Sequence, residues 1–141
     1  MANRDISQGT YLAFDFGLKH IGCAIGQNIT CTARGLTTLR ASNGKPKWHE
    51  VNILMQIHKP VGLVVGLPLN MDGSESEMSN LARHFANALS AKTSIPTDLI
   101  DERLTTKMAQ AELQHAQASG HKYSTHELAA CYILESWFNE S

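Results

Sequence analysis

The chain has 141 residues, 43% of them hydrophobic and 6% aromatic, enough for one packed core and too few for a second catalytic domain. Twelve Lys and Arg against thirteen Asp and Glu leave a formal net charge of −1, which excludes a global positive field and leaves any nucleic-acid contact to local patches. The longest apolar runs, such as 61–69, are broken by glycine and far too short to span a membrane, and the opening MANRDISQGT lacks an apolar targeting core. The expectation is a single cytoplasmic domain over 1–141, with residues 1–9 flexible and no membrane partner.

In chain order, residues 11–16, 20–26 and about 31–39 read as three short strands, joined by the turn-forming Gly17-Leu18-Lys19 and Gln27-Asn28. The polar stretch RASNGKPK reads as an Asn-Gly loop. A helix follows over 48–59, with Trp48, Val51, Leu54 and Met55 on one side and Pro60 to close it. Residues 61–65 form a buried strand by their β-branched content, GLPLNMDGSES a turn-rich loop, and Ser74 or Ser76 the cap of a helix carrying Met78, Leu81, Phe85 and Leu89. A strand over 95–100, an Ala/Gln/Leu-rich helix over 104–115, a flexible loop over 117–124 and a last helix over 125–138 complete the chain. This order predicts an α/β domain. Its mixed five-stranded sheet has three antiparallel N-terminal strands, then two parallel strands, and is flanked by helices. Cys23, Cys31 and Cys131 are odd in number and form no CxxC pair, and they read as reduced core thiols.

In such sheets ligands gather beyond the strand ends where the order reverses, and Asp15, Asn70 and Glu102 each fall at or just past a strand end. Asp15 stands alone inside the apolar run YLAFDFGLKHIGCAIG. A buried carboxylate needs donors or a cation, or else it takes up a proton; a turn Asp serving the Gly17 hairpin is the equal local alternative. In LIDERLTT a second apolar strand ends in acids, Asp101 and Glu102, just ahead of Arg103. First-turn acids that complement a helix dipole explain this pair by themselves. Two strand-end acids in one sheet can also converge on a divalent cation, and Mg²⁺ takes oxygen ligands of this kind.

The motifs AFDFGLKHIGCAIG, VVGLPLNMDGS, DERLTT and HELAACYILESWF, spread over residues 11–138, closely resemble those of the YqgF family of Holliday-junction-resolvase-like, pre-16S rRNA nucleases with an RNase H-like fold. The resemblance implies a hydrolase that cleaves RNA phosphodiester bonds in 5′-end processing of precursor 16S rRNA, during ribosome biogenesis and in association with the ribosomal subunit. It implies two Mg²⁺ or Mn²⁺ ions, with Asp15 bridging them, Glu102 holding one, and a third carboxylate on the last helix. Lys19 and Asn70 are implied as phosphate contacts, and Arg103 either faces substrate or pairs with Asp101 at the surface. DFG also occurs in protein kinases, but no Gly-rich nucleotide loop or HRD segment accompanies it here. Actin-like and sugar-kinase folds need a second domain, for which the chain is too short.

Counted back from ILESWF, the third-acid position falls on His126. Helical spacing turns it inward with Ala130, Ile133 and Trp137. Neutral imidazole ligates Mn²⁺ and suits Mg²⁺ poorly, so three readings stand together. Glu127 supplies the missing acid, or His126 is a ligand or general base, or the domain binds RNA as an assembly factor without turnover. Branched DNA is the alternative substrate, and resolving it needs two sites and hence a dimer; otherwise a monomer or weak homodimer is expected. His20 and Ala13 stand where the family carries Arg and Gly. Arg34, Arg40, Lys45 and Lys47 gather around Asn43-Gly44 as a phosphate rim or a solvated loop, and the loop with Gly120, His121, Lys122 and Tyr123 is placed to close over a single strand.

Overall fold

A computed structural model of the chain describes residues 8–104 and 124–140. In order these form β1 (Thr10–Asp15), β2 (His20–Gln27), β3 (Thr32–Ser42), β4 (Lys45–Pro46), α1 (Trp48–His58), β5 (Gly62–Leu67), α2 (Glu77–Thr93), β6 (Thr97–Asp101), a 3₁₀ turn (Glu102–Leu104) and α3 (Thr125–Asn139). Residues 105–115 of the expected helix, 117–123 of the expected loop and the first seven residues lie outside the described residues. Among those described, no helix is long and apolar enough to cross a membrane.

The sheet order is β4-β3-β2-β1-β5-β6. β1 pairs antiparallel with β2 and parallel with β5, β2 and β3 are antiparallel, and β5 and β6 are parallel. All five expected strands therefore form with the expected senses, and the five-stranded expectation is corrected by a short sixth. Asn43 (φ 51°) and Gly44 (φ 81°) make a two-residue turn, so the stretch read as an open loop is a hairpin in which Lys45–Pro46 pairs with Ala41 and Ser42. Backbone bonds from Ala41 N–H to Lys19 O (2.8 Å) and from Gly44 N–H to Leu18 O (2.9 Å) fasten this hairpin to the β1–β2 turn.

The β2–β3 connection is longer than the dipeptide expected. Gln27 ends β2, and the turn reaches Cys31, which adopts φ 55°. That turn exposes Cys31, against the expectation that all three thiols are core, because its neighbours Thr30 and Thr32 also face solvent. Cys23 and Cys131 are buried, and burial pushes the Cys131 thiol up to about 12 and the Cys23 thiol higher still, so both stay protonated.

Alternation along β1 divides the core between the two faces of the sheet. Leu12, Phe14 and Phe16 join Val51 of α1 and Phe85 and Leu89 of α2. Tyr11 and Ala13 join Val64, Ile100 and the α3 residues Ile133, Leu134, Trp137 and Phe138. Asp15 continues this second register, so it emerges at the rim under the first turn of α3.

Candidate active site

β1 ends at Asp15, and Glu102 opens the turn just past β6, with β5 between them. The two carboxyl groups are hydrogen-bonded to each other across that strand. The residue beneath the bridge is Gly66. A Cβ there would fall on Glu102 Oε1 and Ile133 Cδ1, well inside van der Waals contact. A glycine inside a buried strand signals such a close approach, and that was the cue in VVGLPL which sequence reading passed over.

Both carboxyls titrate above the ordinary range, chiefly because burial penalises their charge. The charge and hydrogen bond of Asp15, and then the charge of Asp101, push Glu102 further, to about 8. Asp15 is pulled partly back by the hydrogen bond from Glu102 and by His126. The two carboxyls therefore resist ionising together, and the pair keeps a proton to higher pH than an isolated carboxyl would.

His126 lies in the first turn of α3, beside Asp15, with its ring stacked on His20 at 5.0 Å between centroids and 20° between planes. Gly22 permits this seat, since a Cβ there would overlap the His126 carbonyl. The next residue points elsewhere: Glu127 Oε2 accepts a hydrogen bond from Thr38 Oγ1 of β3 (2.9 Å), while its backbone N–H donates to the Ser124 cap (3.1 Å). The structure thus brings Asp15, Glu102 and His126 to one rim and turns Glu127 toward β3, as a step of about 100° along a helix requires.

Arg103 is engaged at the surface. Its Nε and Nη2 fork onto Asp101 (3.0 and 2.7 Å to Oδ2), and Nη1 donates to Met71 O (3.3 Å). The guanidinium holds the Asp101 carboxyl below its usual range and ties the end of β6 to the loop after β5. In that loop Asn70 Nδ2 donates to Ser74 Oγ (3.0 Å), and Asp72 Oδ1 accepts from Ser74 N–H (2.9 Å) and Oγ (2.6 Å). Lys19 sits exposed in the β1–β2 turn.

Two buried carboxyls brought together across a strand fit a divalent cation, which can replace a proton and satisfy both charges. Among the described residues, no set of three or more His, Cys, Asp or Glu side chains surrounds one metal position.

The family model RuvX, described as Holliday junction resolvase, matches residues 9–140. Two curated relatives bear the name "Putative pre-16S rRNA nuclease". The one from Actinobacillus pleuropneumoniae serotype 5b is 47% identical over 92% of this chain and 96% of its own; that from Histophilus somni strain 2336 is 48% identical over 92% and 93%. Among solved structures, Thermus thermophilus RuvC bound to a Holliday junction superposes with a TM-score of 0.58 at 16% identity, covering 92% of this chain and 93% of that one. The Fowlpox virus resolvase with junction DNA gives 0.57 at 12%, covering 92% and 97%. At such identities these two show the fold, which is the resolvase-type RNase H-like fold expected from the sequence. The match across residues 9–140, together with relatives nearly half identical along almost their whole length, places the chain in the RuvX family.

Proposed function

We propose that the chain is a hydrolase that cuts phosphodiester bonds in RNA, trimming precursor 16S rRNA in the cytoplasm during ribosome biogenesis with a divalent cation held by Asp15 and Glu102. The observation that carries this reading is the buried pair of carboxyls brought together at the sheet rim, set in a family whose relatives are named for pre-16S rRNA. When bound, the cation would activate the attacking water and offset charge on the leaving 3′-oxygen. Glu102 must give up its proton to accept the cation. Asp15 presents the opposing oxygens. His126, beside Asp15, favours Mn²⁺ over Mg²⁺ wherever its nitrogen joins the site. Arg103 fixes the turn that carries Glu102, and Lys19 and Asn70 are assigned to phosphate contact.

A second reading is favoured by one observation, the imidazole of His126 where the family pattern calls for a third acid: the domain binds RNA and does not turn it over. One experiment separates the two. Labelled RNA spanning a precursor 16S 5′ end is incubated with Mg²⁺ or Mn²⁺ and with wild type, Asp15→Asn or Glu102→Gln. Cleavage by wild type, reduced at least about 100-fold in both variants, is the expected result for loss of a charge-stabilising group. Binding without cleavage under either metal, with cleavage appearing in His126→Asp, establishes the second reading instead.

A further inference from the structure

Charge is unevenly distributed along the chain. No Asp or Glu occurs between Asp15 and Glu50, and this stretch carries Lys19, Arg34, Arg40, Lys45 and Lys47 together with His20 and His49; all thirteen carboxylates lie outside it, with the other seven Lys and Arg. The stretch folds as β2, β3 and β4, the half of the sheet on one side of β1. The stretch itself thus carries five Lys and Arg and no acid in a chain of net charge −1, while α3 sets two carboxylates against it, Glu127 on Thr38 and Glu135 on the Ala33 N–H.

Within that half, four of the five cations gather at the end where Asp15 emerges. Lys19 precedes β2, His20 is the register partner of Arg40, Lys45 lies in β4, and Lys47 caps α1. Arg34 sits farther along β3, opposite Ile25. The hairpin bearing Lys45 is rigidly placed: the two backbone bonds to Leu18 and Lys19 hold it, and Gly44 packs against the ring of Phe16, the residue after Asp15. None of Lys19, Arg40, Lys45 and Lys47 forms an ion pair with a described carboxylate; those described are Arg83 with Glu75 and Arg103 with Asp101. Arg40 and Lys47 meet on a groove of about 450 Å³ between β3 and α1, where Glu50 is the only acid among the lining residues. From the carboxylate pair outward, the sequence of groups is Asp15, His126, the stacked His20, Arg40, and then the hairpin cations.

We infer that this rim is the track on which an RNA strand leaves the Asp15–Glu102 centre, its phosphates held by Lys19, His20, Arg40, Lys45 and Lys47 as it crosses the ends of β2 and β3 and passes over the β3–β4 hairpin. The inference rests on the nuclease reading above and adds the direction of the substrate. Cations without carboxylate partners, fixed to a rigid backbone, are the groups a polyanion engages with release of its counterions.

The test is binding of the precursor 16S 5′ fragment to the full chain in EDTA, followed by fluorescence anisotropy from about 50 to 200 mM salt, with cleavage assayed separately in metal. Arg40→Gln and the double variant Lys45→Gln/Lys47→Gln are compared with Lys59→Gln, at the opposite end of α1, after circular dichroism confirms folding. The expected result is binding several-fold weaker in the first two, with a log–log salt slope shallower by about one for each phosphate contact removed, and no change in Lys59→Gln. If wild type cuts RNA and the rim variants keep its affinity and slope, the track is wrong while the nuclease reading stands. A wild type that neither binds nor cuts RNA removes both. Slope losses seen only on a four-way DNA junction overturn RNA as the occupant.

Discussion

With its pKa pushed up to about 8 by burial and by Asp15, Glu102 stays protonated across a range in which it would ionise near 4.5 in an unfolded chain. Between those two values Glu102 binds more protons in the folded chain than in the unfolded one, so its contribution to stability is fully present below about 4.5 and is lost as pH rises toward 8. The raised pKa of Asp15 acts in the same direction. Metal-free protein is therefore expected to melt at a lower temperature at pH 8 than at pH 5, and Glu102→Gln to flatten that slope; thermal unfolding in EDTA at stepped pH measures both. A Glu102→Gln profile as steep as wild type would place the extra proton on another group. Because a cation must displace this proton, Mn²⁺ should raise the melting temperature more at pH 8 than at pH 6. At the neighbouring position, His126→Asp adds a carboxylate and removes a nitrogen donor, so the ratio of Mn²⁺ to Mg²⁺ cleavage rates should fall relative to wild type.

Strands β1, β5 and β6 act together at the site, and the smallest part of that arrangement is Gly66. A methyl group there must displace both the Glu102 carboxylate and the Ile133 side chain, and overpacking of this kind costs roughly 1–3 kcal/mol. Gly66→Ala is expected to lose most RNA cleavage and to weaken Mn²⁺ binding measured by calorimetry while the protein remains folded. Unchanged metal affinity would mean that Glu102 reaches Asp15 by another path. At this scale the sequence was partly legible. Apolar runs and turn residues located β1, β2 and β5, and of the two candidate helix caps, Ser74 and Ser76, the structure uses Ser76, in a capping box with Ser79. Lys45–Pro46 gave no strand signal, because Pro reads as a breaker and only the left-handed Asn43-Gly44 turn turns it back onto β3. Asp15 and Glu102 were visible as acids at strand ends, but their contact runs across β5, where Gly66 was the one local cue. The orientation of Glu127 was hidden, since its partner Thr38 lies 89 residues away on β3.

Across the whole molecule, α3 unites stability with the site. Its first turn carries His126, and its last turns cover the sheet face formed by Tyr11, Val64 and Ile100. Trp137 holds the far end: its ring lies 5.0 Å from that of Tyr11, and its Nε1–H donates to Asp98 Oδ2 at 2.8 Å, linking α3 to β1 and β6 together. Trp137→Ala removes a nearly fully buried aromatic, a change that costs about 3–5 kcal/mol, a large share of the 5–15 kcal/mol by which domains are commonly stable. The groups at the rim are set locally, by Gly22 beneath His126, by the Ser124 cap and by Gly66, at the other end of the helix from Trp137. Urea denaturation of Trp137→Ala should therefore show the loss in full. At a temperature where the variant is still folded, its RNA affinity and cleavage rate should stay within a few-fold of wild type. A parallel collapse of cleavage in protein that is still folded would show that the rim geometry is transmitted along α3 from its C-terminal anchor, and not fixed by the glycine contacts and cap at its start.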